Sequence, residues 1–376
     1  MCRFQREKLI MNSLLQVKQL GQSLWLDNLS RTLLREGGLR KLIDEDGISG
    51  VTSNPAIFFK AISESPHYRD DLAQLRSQML TAEQRYEALV VPDIQNACDL
   101  LKAEYERTAG RDGYVSLEVS PALAHDATGT VAAGLRLKAA VNRANLLIKV
   151  PATPAGLTAI EQLIAQGCSV NVTLMFSLEH VAGVSAAYVR GLQRWVDGGG
   201  DARSVRSVAS LFLSRVDTLV DKQLEAIGGS ALALRGQSGV ALAKLAYQAY
   251  RTTFHGDSFS ALAALGAQPQ FMLWASTGTK NPAYSDVMYV EPLIGPESVN
   301  TLPDATLAAF RDHGKAASTI TAGIASARNH YDVLKRAGID MAQVGEQLQS
   351  EGVKLFAQAF DQLLVLTADA KQTISA

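Results

Sequence analysis

The sequence predicts an α/β protein, a (β/α)8 or TIM barrel of eight parallel strands with additional C-terminal helices. Eight short apolar segments recur along the 376 residues, and a stretch of helical character separates each segment from the next. Strands that alternate with helices form a parallel sheet, and eight repeats of this unit indicate that the sheet closes on itself. An open doubly wound sheet is the alternative, but no glycine-rich phosphate turn of the kind it requires follows a predicted strand.

The predicted strands are the eight apolar segments. In chain order they cover residues 23–27, 48–52, 114–119, 146–150, 170–175, 208–213, 271–276 and 299–302. The helices between them are clearest where apolar residues recur every three or four positions, as in residues 179–197 and 240–254. The first of these two patterns ends at three consecutive glycines, 198–200, which favour a helix end.

We predict one barrel domain over residues 1–376, because no interdomain linker, low-complexity tract or further repeat is visible. Residues 1–15 are predicted to form a flexible N-terminal extension. Residues 332–376 are predicted to hold C-terminal helices that pack on the barrel. The helical pattern there runs over 332–370 and is broken near Gly338.

The charge and hydropathy of the chain argue against nucleic-acid and membrane partners. The 36 basic and 37 acidic side chains nearly cancel, so the chain has no global field for a polyanion, and an anion site must be a local cluster. No apolar run reaches the roughly 18–20 residues that span a bilayer, and the amino-terminal segment lacks a secretory signal. We predict a cytoplasmic protein that binds small molecules as a monomer or homodimer.

Cysteine and histidine usage argues against a disulfide framework and against a metal-dependent mechanism. The three cysteines, Cys2, Cys98 and Cys168, show no paired spacing, and the six histidines are scattered without an HExxH motif. Ligands from distant segments would leave no such signature, so a metal site is kept as the less favoured alternative. We predict that the protein uses neither a metal nor a cofactor.

Three ionisable residues lie late in predicted strands that are otherwise apolar. Asp27 ends the first strand, Glu118 lies near the end of the third, and Lys149 lies near the end of the fourth. The active site of a barrel lies at the carboxyl ends of its strands, so these groups are expected to converge. A buried Lys149–Glu118 ion pair with a purely structural role, or a lysine that reaches out of the barrel mouth, is the alternative.

A lysine with two carboxylates has the chemistry to break a carbon–carbon bond in a ketose. A desolvated lysine is a nucleophile toward carbonyls, and the iminium that it forms accepts the electron pair left by bond cleavage. One carboxylate must take a proton from the hydroxyl of the departing fragment. The other must assist formation and hydrolysis of the imine. The three strand-end residues therefore predict Schiff-base chemistry on Lys149.

Further polar residues at strand ends are candidates for binding substrate. Two cations and a hydroxyl near neighbouring strands, Arg215, Lys280 and Ser276, would bind a phosphate dianion. The other candidates follow or occupy the second, fifth and sixth strands, and each one alone has an ordinary structural explanation in a turn or strand. They are Thr52, Asn54, Asn171, Thr173 and Ser210, with Phe212 as either a pocket wall or a core aromatic.

Together these segments resemble the transaldolase family. The resembling stretches are GQSLWLDN (21–28), GVTSNPAIF (50–58), DGYVSLEV (112–119), LIKVPATPAG (147–156), NVTLMFS (171–177) and WASTGTKNP (274–282). They occur in the family's order over most of the chain, and the lysine and Thr-Ser-Asn-Pro segments are the specific ones. The resemblance implies a barrel that, without a cofactor, moves a dihydroxyacetone unit from sedoheptulose 7-phosphate to glyceraldehyde 3-phosphate. The products would be erythrose 4-phosphate and fructose 6-phosphate, in the pentose phosphate pathway.

The resemblance also implies a role for each candidate residue. Lys149 would be the Schiff-base lysine, Asp27 the base at the cleaved bond, and Glu118 the acid and base that works with Thr173 through a water. Hydroxyls of the dihydroxyacetone unit would be held by Asn54 and Asn171 with help from Ser210, and Thr52 would belong to the same binding set. The phosphate would be held by Arg215, Ser276 and Lys280. Lys280 departs from the arginine found near this position in the best-known branch of the family.

Two other functions compete with this interpretation. A related lysine-dependent aldolase, such as a fructose 6-phosphate or deoxyribose phosphate aldolase, would release its product without an acceptor. A non-catalytic barrel used for binding would have no need of the three strand-end charges. Acceptor dependence discriminates the first alternative from a transferase.

Overall fold

Eight parallel strands close into a barrel in the computed structural model, which describes residues 12–368. Each strand pairs with the next along the chain, and β8 closes the barrel by pairing with β1. The strands are β1 Gln22–Leu26, β2 Gly50–Val51, β3 Tyr114–Glu118, β4 Leu146–Pro151, β5 Val170–Met175, β6 Ser207–Phe212, β7 Phe271–Ala275 and β8 Ser298–Leu302. The predicted (β/α)8 fold is confirmed, and every predicted strand overlaps an observed one.

The second strand is shorter than the predicted segment 48–52, but its hydrogen bonding continues on both sides. The backbone nitrogen of Ser49 donates to the Leu24 carbonyl at 2.9 Å, and that of Thr52 donates to the Leu26 carbonyl at 2.9 Å. The segment therefore lies along β1 for its predicted length, although only Gly50–Val51 is regular strand. Thr52 is held at the carboxyl end of the barrel in this way.

Helices cover the outside of the barrel between the strands. In chain order they are α1 Ser13–Gln19, α2 Arg31–Arg35, α3 Gly38–Asp46, α4 Pro55–Glu64, α5 Arg69–Arg76, α6 Ala82–Arg107, α7 Ala127–Val141, α8 Pro154–Ile164, α9 Leu178–Asp197, α10 Ser214–Ile227, α11 Ser238–Phe254, α12 Asp257–Ala264, α13 Asp304–His313, α14 Ile324–Arg336 and α15 Met341–Thr367. The two helices predicted most clearly, 179–197 and 240–254, are α9 and α11. Each observed helix begins one or two residues earlier than its predicted counterpart.

The C-terminal segment forms two helices separated near Gly338, as its pattern predicts. The first of them, α14, begins at Ile324, eight residues before the predicted start, and the second, α15, ends at Thr367. Helix α15 contacts α4 and α6 on one side, α10 on another, and strand β5 of the barrel. It therefore lies close to the carboxyl ends of the strands.

The predicted N-terminal extension lies mostly outside the described residues. Residues 1–11 are outside them, whereas residues 13–15 begin helix α1, in which the Leu14 side chain is fully buried. The predicted boundaries of a single domain with a flexible extension stay a prediction. In the part of the chain that is described, no helix is long and apolar enough to cross a membrane.

The two ends of the barrel differ in how their polar groups are used. At the amino ends of the strands, the Gln22 amide donates to the Leu293 carbonyl at 2.7 Å and to the Ser298 hydroxyl at 2.9 Å, and Trp25 is buried. These contacts fill the barrel floor. At the carboxyl ends, polar and charged side chains line a pocket that is open to solvent.

Candidate active site

One pocket at the carboxyl ends of the strands holds most of the predicted site residues. It encloses about 690 Å³ of space that is open to solvent. Nine of the eleven predicted site residues line it: Asp27, Thr52, Asn54, Lys149, Thr173, Ser210, Arg215, Ser276 and Lys280. Glu118 and Asn171 do not line the pocket and lie behind it, each in contact with a lining residue.

Lys149 lies in β4, in register with Glu118 of β3 and Asn171 of β5. Its ammonium nitrogen Nζ donates to the Ser53 carbonyl at 3.0 Å and lies 3.4 Å from Oε2 of Glu118. The Lys149 and Glu118 side chains are each only 6% exposed. A buried charge is costly unless it is paired, so the ion pair is what allows this lysine to lie inside the barrel.

Glu118 is a carboxyl group that can exchange a proton near neutral pH. Burial raises its pKa to about 7, against the opposing effect of the Lys149 charge, and Asp27 raises it further. A group with such a pKa can both donate and accept a proton under physiological conditions. Because Glu118 contacts Lys149 and not the open pocket, its direct partner is the lysine nitrogen and whatever is bonded to it.

Asp27 directly follows β1, and its side chain is held by Thr52. Its backbone nitrogen donates to the Leu302 carbonyl at 2.9 Å, and its carboxylate accepts a hydrogen bond from Thr52 Oγ1 at 2.7 Å. The Thr301 hydroxyl lies 2.6 Å from that of Thr52. Burial raises the pKa of Asp27, while Lys149 and the Thr52 hydrogen bond oppose that rise. Thr52 lines the pocket, but its hydroxyl proton is directed at Asp27.

Thr173 lies at an irregular point of β5. The register between β5 and β6 shifts between Val172 and Met175, and Leu174 has a positive φ of 59°. Such irregularities bend a strand and re-aim its side chains. Thr173 is fully buried, and its Oγ1 has no hydrogen-bond partner within residues 12–368. A buried hydroxyl of this kind is suited to a polar group of a substrate or a water.

A chain of hydrogen bonds runs behind the pocket through Asn171. The Ser210 hydroxyl donates to the Asn171 side-chain oxygen at 2.7 Å, and the Asn171 amide donates to the Ser116 hydroxyl at 2.9 Å. Asn171 has no exposed surface, whereas Ser210 lines the pocket. In this arrangement Asn171 fixes the orientation of the Ser210 hydroxyl.

Two positively charged residues, Arg215 and Lys280, also line the pocket. Arg215 lies in the first turn of α10, and Lys280 lies in the loop after β7. Among the described residues, neither forms a hydrogen bond or an ion pair, and the Arg215 guanidinium lies 5.7 Å from the centre of the Phe212 ring. Burial lowers the pKa of Arg215. Free cations beside a helix amino terminus form a site for a phosphate group.

Asn54 and Ser276 lie at the rim of the same pocket. The Asn54 side-chain oxygen accepts a hydrogen bond from the Ile57 backbone nitrogen at 3.0 Å and so begins helix α4. This leaves the amide nitrogen of Asn54 available as a donor. The Ser276 hydroxyl lies 2.8 Å from that of Ser214, and Ser276 has a positive φ of 53°. Phe212 lines the pocket, and its ring centre lies 5.3 Å from that of Phe176. The ring is therefore both a pocket wall and a core aromatic.

Six residues that line the pocket were not predicted from the sequence, and two of them, Thr301 and Phe356, bring a polar or an aromatic side chain to it. Thr301 lies late in β8, and the rule that selected Lys149, a polar residue near the end of an apolar strand, would also have selected it. Phe356 lies in α15, within a helix whose apolar residues are typical of a packed surface. No local signal in the sequence distinguishes it. Within residues 12–368, no group of three or more His, Cys, Asp and Glu side chains is placed to hold a metal.

Comparison with known proteins gives a consistent set of relatives. The family model described as "Transaldolase/Fructose-6-phosphate aldolase" matches residues 24–366. A Thiobacillus denitrificans protein named "Transaldolase" is 57% identical over 355 residues, which cover 94% of this chain and 99% of that protein. A Neisseria gonorrhoeae "Transaldolase" is 48% identical with the same coverage. A Nostoc "Transaldolase 2" is 43% identical over 94% of this chain and 96% of its own.

Proposed function

The chain belongs to the transaldolase/fructose-6-phosphate aldolase family, and we propose from this premise that it is a transaldolase whose Schiff base forms on Lys149. Its family and its relatives named transaldolase indicate an enzyme, a transferase that processes sugar phosphates. It transfers a dihydroxyacetone unit from sedoheptulose 7-phosphate to glyceraldehyde 3-phosphate, giving erythrose 4-phosphate and fructose 6-phosphate. The observation that carries the proposal is the position of the buried Lys149 amine. Lys149 lines the pocket together with Asp27, and its nitrogen contacts Glu118.

The first step joins the lysine to the ketose. The neutral amine of Lys149 attacks the C2 carbonyl, and the carbinolamine then loses water to give an iminium. Glu118, 3.4 Å from Nζ, supplies and removes the protons of this step, for which its pKa of about 7 is suited. The unpartnered Thr173 hydroxyl would hold the oxygen that leaves as water.

The second step breaks the bond between C3 and C4. Asp27 takes the proton of the C4 hydroxyl, the C4 oxygen becomes an aldehyde, and the bonding electrons move toward the iminium to give an enamine on Lys149. Thr52 holds the Asp27 carboxylate at 2.7 Å, so this base is oriented before the substrate arrives. The aldose phosphate departs, and the same steps run in reverse when an acceptor aldehyde binds.

Acceptor dependence tests the proposed transfer against simple aldol cleavage. With sedoheptulose 7-phosphate alone, we expect about one equivalent of erythrose 4-phosphate per active site, because the dihydroxyacetone unit stays on Lys149. Addition of glyceraldehyde 3-phosphate should then restore continuous turnover. A coupled assay for erythrose 4-phosphate measures both phases. Sustained release without an acceptor would identify a fructose 6-phosphate aldolase-like enzyme, which the names of the relatives do not favour.

The proposed phosphate site predicts a selective effect of Arg215→Ala. Loss of a charge-assisted contact to the phosphate should cost about 2–4 kcal/mol of binding and raise KM for fructose 6-phosphate. Transfer from free dihydroxyacetone to unphosphorylated glyceraldehyde should change little. Arg190→Ala is the matched control, because Arg190 lies on the surface and pairs with Glu161. If both substrate classes suffered equally, Arg215 would have a structural role instead.

We propose that the enzyme acts in the cytoplasm, in the pentose phosphate pathway, as a monomer or homodimer. Its near-neutral charge supports a small-molecule enzyme that binds neither nucleic acid nor membranes.

A further inference from the structure

Helix α15 is fastened across the ends of two strands beside the Schiff-base lysine. The Gln349 amide nitrogen donates to the Ala152 carbonyl at 3.0 Å, just after β4, and to the Leu174 carbonyl at 3.1 Å, in β5. Gln349 is only 5% exposed, and these two bonds tie the helix to the strands that carry Lys149 and Thr173.

Small residues on the same helix allow it to approach the barrel closely. A Cβ atom at Gly352 would lie 2.9 Å from Cδ2 of Leu174, and one at Gly345 would lie 2.6 Å from Cβ of Ser177. Both separations are shorter than van der Waals contact, so a side chain at Gly345 would push the helix outward, and one at Gly352 would require the Leu174 side chain to move. The position of α15 over the active site is therefore closely specified.

Phe356 is the residue that α15 places in the pocket. It lines the pocket, is 9% exposed, and its ring centre lies 5.7 Å from Lys149 Nζ. An aromatic face at this distance attracts a cation, whether the ammonium of the free lysine or the iminium of the intermediate. The ring also excludes water from its side of the nitrogen.

We propose that Phe356 shields the three-carbon intermediate on Lys149 from water and so determines whether the enzyme transfers this unit or releases it. This inference rests on the proposed function, because it concerns the intermediate that forms after C3–C4 cleavage. Phe356 acts on the partition of that intermediate. It exchanges no proton with the substrate.

The release that Phe356 opposes is a balanced side reaction. The proton that Asp27 took from the C4 hydroxyl passes through a water to the nucleophilic carbon of the enamine and gives an iminium, and one water then adds to C2. Free dihydroxyacetone leaves, and the Lys149 amine is restored. The water consumed equals the water lost when the first imine formed, so the net reaction is cleavage of a ketose phosphate into dihydroxyacetone and an aldose phosphate. The second step requires a water that reaches C2, the carbon bonded to the lysine nitrogen beside which the Phe356 ring lies.

The test compares release with transfer in Phe356→Ala, Phe356→Leu and a matched control. With fructose 6-phosphate, dihydroxyacetone formed without an acceptor measures release, and sedoheptulose 7-phosphate formed with erythrose 4-phosphate measures transfer. We expect the ratio of release to transfer to rise on the order of tenfold in Phe356→Ala. Phe356→Leu keeps an apolar cover and should stay within about threefold of the wild-type ratio.

Phe360→Ala is the control for loosening of the helix. Phe360 lies one turn further along α15, is 6% exposed and packs edge-on against Tyr86 at 5.5 Å, outside the pocket. It should lower the melting temperature without changing the ratio. An unchanged ratio in Phe356→Ala, or an equal rise in Phe360→Ala, would overturn the proposal. Borohydride trapping of wild-type Lys149 separates this outcome from failure of the proposed function, which would give no trapped adduct in any variant.

Discussion

Lys149→Arg is expected to abolish both transfer and covalent labelling while the protein stays folded. Arginine keeps the positive charge that pairs with Glu118 at 3.4 Å, so the buried carboxyl does not lose its partner. A guanidinium stays protonated and cannot form an imine with a ketose. We therefore expect turnover to fall by on the order of 10⁴-fold or more.

Borohydride reduction gives the direct measurement. In the wild type, fructose 6-phosphate followed by borohydride should convert the imine into a stable secondary amine and inactivate the enzyme. Mass spectrometry should place the added mass on the peptide that contains Lys149. Lys244→Arg is the matched control, because Lys244 is also buried but donates to the carbonyls of Thr319 and Ala322, away from the pocket. The Lys244→Arg variant should still be labelled on Lys149.

Two results would contradict the proposed role of Lys149. One is substantial transfer by a folded Lys149→Arg variant, with the fold checked by thermal melting. The other is a label on any other lysine of the wild-type protein. Either result would remove the Schiff base from Lys149 and with it the function assigned to this pocket.

Asp27→Asn is expected to separate imine formation from bond cleavage. The amide keeps an oxygen that can accept the Thr52 hydrogen bond but cannot take the proton of the C4 hydroxyl. Turnover should fall by about 10²–10⁴-fold, the usual contribution of a positioned base. Lys149 should still capture the ketose, so an adduct should accumulate that the variant cannot split.

The mass of the trapped adduct distinguishes the two steps. Borohydride should trap mainly the dihydroxyacetone unit on the wild type but the intact ketose phosphate on Asp27→Asn. Asp99→Asn is the control, because Asp99 lies on the surface and pairs with Arg143, away from the pocket. It should turn over normally. A three-carbon adduct on Asp27→Asn would show that another group takes the hydroxyl proton.

The sequence predicts those site residues that lie at the ends of strands. In a closed parallel barrel, all strand ends meet at one mouth, so polar residues late in apolar runs are brought together whatever lies between them. This reasoning selected Asp27, Glu118 and Lys149, and the structure places Asp27 and Lys149 in one pocket and Glu118 in contact with Lys149. Applied fully, it would also have selected Thr301.

Depth within the site could not be predicted, because alternation along a strand gives the side of the sheet but not the distance from the mouth. Asn171 has the same inward orientation as Lys149, yet its side chain is occupied by Ser210 and Ser116. Glu118 lies behind the lysine. Hydrogen bonds link Thr301 through Thr52 to Asp27. They depend on the pairing of β8 with β1, the last and the first strand of the barrel.

By itself, the sequence determined the eight strands, the barrel and the convergence of its charged strand ends, because these follow from short-range periodicity and from closure of the sheet. Only the tertiary structure decided which residue covers Lys149. Phe356 lies about two hundred residues beyond that lysine, in a helix whose apolar pattern predicts packing but not a partner. Its place depends on Gln349 and on the close approach at Gly352, which are contacts between segments far apart in the chain. Local sequence patterns do not predict contacts between distant segments, so the position of Phe356 beside Lys149 could be determined only from the folded structure.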